Sequence, residues 1–264
     1  MRKILQITLT AFFAIVLLEG CKKLSDKIVE PEGVSIDESL LIKNAGLNPG
    51  GAVKIDGKYL IEGDLLLSAD ELRDLSTNNG PEVIVANSEQ YRTTNLVTGL
   101  PRVIKVRYAG TNTNLSTAIN AAIARYNARG LLLTFSRVTS GQNINIVTVN
   151  SASYIASAGF PSGGNPYSQI IFNLQYANWN ANTLTSVMAH EIGHCIGFRH
   201  TDYMNRQYSC GGSFYNEGSA GVGAIHIPGT PTGPDANSWM LACIGNGVNR
   251  PFNTNDRTAL NYLY

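Results

Sequence analysis

HEIGHCIGFRH, residues His190 to His200, holds three of the four histidines in a chain of 264 residues. His190 and His194 are four apart, so on a helix they lie one turn apart on the same face, and both imidazoles can reach one ion. Gly197 can take a positive φ, which ends the helix and turns the chain sharply. That turn brings His200 back as a third nitrogen donor. Three neutral imidazoles on a tetrahedral zinc leave one position open, the arrangement of a catalytic site and not of a closed structural one. Glu191, beside the first ligand, is directed at the open position. Its chemistry is that of a general base that takes a proton from water and later hands it to a leaving amine. Gly193 keeps the helix slim where another segment packs closely. One histidine alone would read as a surface residue of an amphipathic helix. The full HExxHxxGxxH spacing with its glutamate is far more specific than HExxH alone.

Working outward, the helix starts near Asn182 and turns Leu184, Val187, Met188 and Ile192 to its buried side. Upstream, RVIKVRYAG alternates Ile104, Val106 and Tyr108 against Lys105 and Arg107, the period of a half-buried strand. Residues 114–129 place Leu115, Ile119, Ala122, Ile123 and Tyr126 on one helical face, and Gly130 stops them. LLLTFSRV (131–138), INIVTV (144–149), YIASAGF (154–160) and SQIIFN (168–173) read as further strands. Beyond His200 the chain is irregular and glycine-rich, and it closes on a helix in NDRTALNYLY. The expected fold is α+β: a mixed, mostly parallel sheet, the histidine-bearing helix, and an irregular C-terminal subdomain ending in a helix.

The first part of the chain has a different character. Residues 1–20 open on Arg2 and Lys3 and carry an apolar run too short to span a bilayer, as an export signal does. They end at Leu18-Glu19-Gly20-Cys21, which resembles a bacterial lipoprotein box with Cys21 as the lipidated residue. The expected location is therefore extracytoplasmic, at the outer membrane or cell surface, held by lipid. Residues 21–35 read as a tether and 36–98 as a propeptide-like unit, with 99–264 as the catalytic domain. Within the unit, a strand in GKYLIEGDLLL breaks at Gly63-Asp64, and Ser68 with Glu71 forms a capping box for a helix. Without residues 1–20 the chain has 18 basic and 18 acidic residues. That balance supplies no basic stripe for nucleic acid. Cys195, Cys210 and Cys243 allow three pairings. Cys210–Cys243 is preferred, because both lie in loop-like sequence whereas Cys195 sits in the helix pattern.

HEIGHCIGFRH resembles the zinc signature of the metzincin metallopeptidases, and its HEIGH core is similar to that of bacterial secreted HEIGH-type peptidases. The resemblance covers roughly residues 100–264 and implies a zinc-dependent endopeptidase, monomeric, acting on polypeptide bound in extended form. It implies His190, His194 and His200 as zinc ligands and Glu191 as the base. In Ser238-Trp239-Met240, it implies Met240 as the apolar floor beneath the metal. Substrate would pair with the edge strand of the sheet, for which YIASAGF is the candidate. Two positions depart from astacins: Ala242 stands where they carry a tyrosine, and Thr201 follows the third histidine. Tyr203 is then a candidate for supporting the oxyanion. LIEGDLLL (60–67) resembles the FxGD stretch of astacin propeptides, which implies Asp64 as a zinc-directed latency switch, released by cleavage between about 65 and 100. Read without the resemblance, Gly63-Asp64 is a tight turn between strands. His226 reads as structural. Calcium in the loops at 211–237 has no spaced carboxylate pattern behind it. Two rival readings stand beside the peptidase: a non-catalytic surface binding protein that keeps a structural zinc, and a zinc hydrolase of cell-wall amides.

Overall fold

The computed structural model describes residues 31–77, 90–150, 153–219, 221–231 and 233–264. The export signal, Cys21 and positions 21–30 of the tether lie outside the described residues, as does 78–89 within the expected cleavage region.

The N-terminal unit opens with β1 (Glu32–Gly33) and α1 (Ile36–Asn44). Ser35 caps α1: its hydroxyl accepts from the Glu38 N–H at 3.3 Å, and Glu38 answers by accepting the Ser35 N–H at 2.8 Å. Strands β2 (Val53–Ile55), β3 (Lys58–Ile61) and β4 (Leu65–Leu67) follow, then α2 (Ala69–Thr77). The four strands form one antiparallel sheet in the order β1-β2-β3-β4. Glu32 and Gly33 pair with Lys54 and Val53, so the end of the stretch read as a tether is sheet. Its extended backbone finds ladder partners that sequence pattern alone does not reveal. Between β3 and β4, Glu62 and Gly63 both adopt left-handed backbone, with φ of 54° and 80°. The capping box of α2 forms, with Ser68 N–H to Glu71 at 2.7 Å and Glu71 N–H to Ser68 Oγ at 3.2 Å.

After β5 (Tyr91–Arg92) the chain builds its main layer from β6 (Arg102–Tyr108), α3 (Thr113–Asn127), β7 (Leu133–Val138), β8 (Ile144–Val149), β9 (Ala156–Ser157) and β10 (Gln169–Asn173). The sheet order is β7-β6-β8-β10-β9, parallel throughout except for the antiparallel edge strand β9. This is the mixed, mostly parallel sheet of an α+β fold. Ile104, Val106 and Tyr108 are buried while Lys105 is exposed, as the alternation requires. Asn112 caps α3 by accepting from Leu115 N–H at 2.9 Å. YIASAGF yields only two residues of ladder with β10, because from Ala158 its backbone turns to another partner. Ala158 N–H donates to Asp64 O at 2.9 Å, and Leu66 N–H donates to Ala158 O at 3.1 Å. The edge of the sheet is thus occupied by the N-terminal unit, running parallel to it at Leu65.

The helix α4 (Ala181–Cys195) carries the histidines. Every residue from Thr183 to Cys195 is buried, which is wider than the four-residue apolar stripe read from the sequence. The reason is that α4 is covered on several sides. Tyr126 of α3 donates its hydroxyl to Ala189 O at 2.7 Å. On another face Thr183 donates to Val248 O at 2.8 Å and Ser186 Oγ accepts from Arg250 N–H at 2.9 Å. The irregular segment thereby roofs the helix with hydrogen-bonded main chain, which satisfies its buried hydroxyls. The C-terminal part contains α5 (Gln207–Cys210), β11 (Ile225–His226), which pairs with β5, and α6 (Thr254–Leu263). Ile42, Ile61, Leu65 and Leu72 of the N-terminal unit belong to the same core cluster as Ile104, Phe172, Ile192 and Met240.

Ile104 is fully buried in the central region of the sheet. Replacing it with Ala is expected to lower unfolding free energy by about 2–5 kcal/mol, measured by urea denaturation. A loss well below that range would show that the sheet collapses around the cavity.

Candidate metal centre and cleft

His190 and His194 project from one face of α4, and the chain ends the helix at Ile196 and reverses at Gly197, whose φ is +108°. A side chain at Gly197 would also run into Asn95 O and Leu96, so the turn is closed to other residues sterically as well. The reversal brings His200 back. The three Nε2 atoms then converge, with separations of 3.0 Å for His194–His190, 3.2 Å for His194–His200 and 3.3 Å for His200–His190.

What each ring does with its other nitrogen decides the chemistry. His190 Nδ1 lies 2.9 Å from Trp239 O, His194 Nδ1 2.9 Å from Phe198 O, and His200 Nδ1 2.5 Å from Glu217 Oε1. Carbonyl and carboxylate oxygens only accept, so each Nδ1 carries its proton. In neutral rings that leaves three bare Nε2 lone pairs facing one another. Such a cluster is repulsive unless a cation sits among the lone pairs, and it is the donor set of a His-ligated metal site. Asp64 Oδ2 completes the group, at 2.7 Å from His200 Nε2, 3.6 Å from His190 Nε2 and 3.8 Å from His194 Nε2. Two buried carboxylate oxygens beside it, Asp64 Oδ1 and Glu191 Oε2, have no hydrogen-bond partner. Three imidazole nitrogens, a fourth oxygen donor and two orphaned oxygens fit a divalent metal with water-derived chemistry next to it.

The charges around the site have identifiable causes. Burial, reinforced by the neighbouring Asp64 carboxylate, raises the Glu191 carboxyl well above its ordinary range. Burial pushes the His194 imidazole down to about 4.

Sequence reading missed the groups that support this centre. Glu217, from the glycine-rich loop, receives His200 and also lies 3.3 Å from Arg199 and 3.3 Å from Arg206. His200 first, then the Arg199 and Arg206 guanidinium groups, overcome burial and hold its carboxyl down at about 2. Arg199, buried between Gly197 and His200 in sequence, also reaches Glu62 at 3.3 Å, and Arg206 donates to the Glu62 carbonyl. A single acid among glycines and asparagines has no spacing to betray it, and Glu62 is 155 positions from Glu217.

Met240 is buried against α4, and a Cβ on Gly193 would lie 2.6 Å from its sulfur. The Met240 loop is fixed by Ser238, whose hydroxyl lies 2.7 Å from Thr201 Oγ1 and 3.1 Å from the Met240 N–H. Thr201 also donates its N–H to Met240 O at 2.8 Å. Cys210 and Cys243 are joined by a disulfide, and Cys195 is buried as a free thiol. The Tyr203 ring packs on Tyr91, with centroids 4.4 Å apart, and Tyr203 is not among the residues that line the cleft beside the cluster. His226 lies in β11 with Nε2 at 3.0 Å from Thr230 Oγ1. A cleft of about 280 Å³ opens beside the metal cluster, walled by Tyr154, Val187, Trp239 and Ile244 and reached by Gly63, Asp64 and Arg206.

Glu217→Ala is expected to weaken binding of a divalent metal at the three imidazoles by about 10–100-fold, since a group that orients a ligand carries that much of the affinity. Competition with a chromophoric chelator measures it, and unchanged affinity would show that His200 is held without the carboxylate.

The sequence profile of the dual-action HEIGH metallo-peptidase family matches residues 59–264. No curated protein matches the chain. Among solved structures the chain is similar to two of myroilysin. In one, identity is 17%, with 64% of this chain and 96% of that chain covered and a TM-score of 0.44. In the other, identity is 16%, coverage 62% and 83%, and the TM-score 0.41.

Proposed function

The chain belongs to the dual-action HEIGH metallo-peptidase family, and from that premise we propose that it is a zinc endopeptidase in which His190, His194 and His200 hold the metal and Glu191 is the general base. The observation that carries the reading is the convergence of three Nε2 lone pairs within 3.3 Å, beside a Glu191 oxygen with no partner. Zinc, when bound there, polarises the scissile carbonyl and acidifies water. Glu191 takes the proton from the attacking water and passes it to the amine that leaves. Met240 and Gly193 keep the ligand helix seated by close contact, while Trp239 O fixes His190. The cleft wall at Tyr154 and Ile244 receives substrate side chains, and polypeptide backbone lies along the sheet edge at Ala156–Ala158.

That edge and the fourth place beside the three Nε2 atoms are both taken by residues 64–66. We read Asp64 as a latency switch: its carboxylate occupies the position that water must have for hydrolysis, and Gly63 allows the close approach. The tethered chain, lipidated at Cys21 and held at the cell surface, is then made inactive and is activated by displacement of this segment.

In the zinc-loaded Asp64→Ala background, which lacks the latency carboxylate, adding Glu191→Gln is expected to lower casein cleavage about 10²–10⁴-fold while zinc content stays at one ion. Persisting cleavage in that variant would remove Glu191 from the mechanism, and zinc binding without cleavage of any polypeptide would favour a binding protein. Cleavage of wall fragments in place of casein would favour an amide hydrolase. In a parallel assay Asp64→Ala should cleave faster than the unprocessed parent; equal rates would end the latency reading.

A further inference from the structure

The N-terminal unit does not sit on the rest of the chain as a removable plug. Ile42, Ala45, Leu47, Ile61, Leu65 and Leu72 are all buried in the core cluster that contains the active-site helix, not in a core of their own. Main chain joins main chain at two separate seams: Val222 N–H donates to Ala45 O at 2.8 Å, and Asp64–Leu66 pairs with Ala158. Two tyrosines add side-chain bonds, Tyr215 to Gly50 O at 2.7 Å and Tyr167 to Leu66 O at 3.1 Å.

The receiving surface is shaped for this occupant. A Cβ on Gly221 would fall onto the main chain of Ala45, and one on Gly159 would lie 2.9 Å from Leu67 Cδ2. The electrostatics are divided between the two parts as well. Arg199 lies between two carboxylates, Glu217 from its own part and Glu62 from the N-terminal unit, while Arg206 reaches Glu217 and the main-chain carbonyl of Glu62. If Glu62 leaves, the buried Arg199 and the partly buried Arg206 share one carboxylate that already serves His200, and removing one partner of a buried ionic cluster is strongly unfavourable.

We propose that the surface formed by Gly159, Gly221, Arg199 and Arg206 is a docking site for residues 31–77 as a separate polypeptide. After the chain is cut between Thr77 and Gln90, the N-terminal unit stays bound as a non-covalent inhibitory subunit, and scission alone does not open the cleft. The inhibitory part of this statement rests on the reading of Asp64 as a latency switch; the docking part does not.

The test is made on the full chain with a specific protease site placed between Thr77 and Gln90, cut after folding. Gel filtration at low micromolar concentration should return both pieces together at the size of the uncut chain, with peptidase activity near that of the uncut chain. Glu62→Ala should release the N-terminal piece about tenfold faster. Should that variant fold poorly, Tyr215→Phe, which removes the hydroxyl's bonds to Gly50 O and Asn48 O, should speed release to a smaller degree. An N-terminal piece that elutes alone from the cut parent overturns the docking. Full activity in the cut, still co-eluting protein overturns the inhibition. Pieces that co-elute while Asp64→Ala leaves activity unchanged support the docking and unseat the latency reading instead.

Discussion

Three imidazole lone pairs directed at a single point are an unstable arrangement for neutral rings, and the rest of the site is organised to impose it. Each ring is held by an acceptor from a different place: Trp239 O in the Met240 loop, Phe198 O just past the helix, and Glu217 in the glycine-rich loop. Acceptors on all three Nδ1 atoms fix all three tautomers and leave Nε2 as the only free donor on each ring. The irregular segment after His200 therefore has a defined task. It cannot be helix or sheet throughout, since it must deliver a carbonyl, a carboxylate and a buried methionine to separate points around α4.

The parts of this arrangement that sequence makes legible are those governed by local period. His190 and His194 share a helix face because of the 3.6-residue repeat, and β6 alternates because strands do. The capping box of α2 lies within four residues and forms as read. Legibility fails where a residue's environment is set by distant chain. Arg199 meets Glu217 across 18 positions and Glu62 across 137, and none carries a periodic signature. YIASAGF looks like a full strand by composition, but two of its residues pair with β10 and its next residue pairs with the N-terminal unit. The stripe on α4 is underestimated for the same reason, because the main chain that roofs it comes from residues 247–250.

A common core has consequences for how the chain is divided. Composition sets residues 36–98 apart, and the propeptide-like boundary follows from that contrast. In three dimensions the boundary crosses a continuous hydrophobic cluster, and the family profile itself begins at residue 59, inside the N-terminal unit. The segment bearing Glu62, Gly63 and Asp64 is then as much a part of the folded enzyme as the helix it faces.

The Cys210–Cys243 bond ties the short helix that follows Arg206 to the loop that follows Met240. Ser209 reinforces the junction by bonding Asp202 at 2.6 Å and the Cys243 N–H at 3.0 Å. One covalent bridge thus braces both the arginine that grips the N-terminal segment and the rim of the substrate cleft. In a thiol-rich compartment that brace would be opened, so material produced in a reducing cytosol and material produced by export would differ at the mouth of the cleft while sharing the same three histidines.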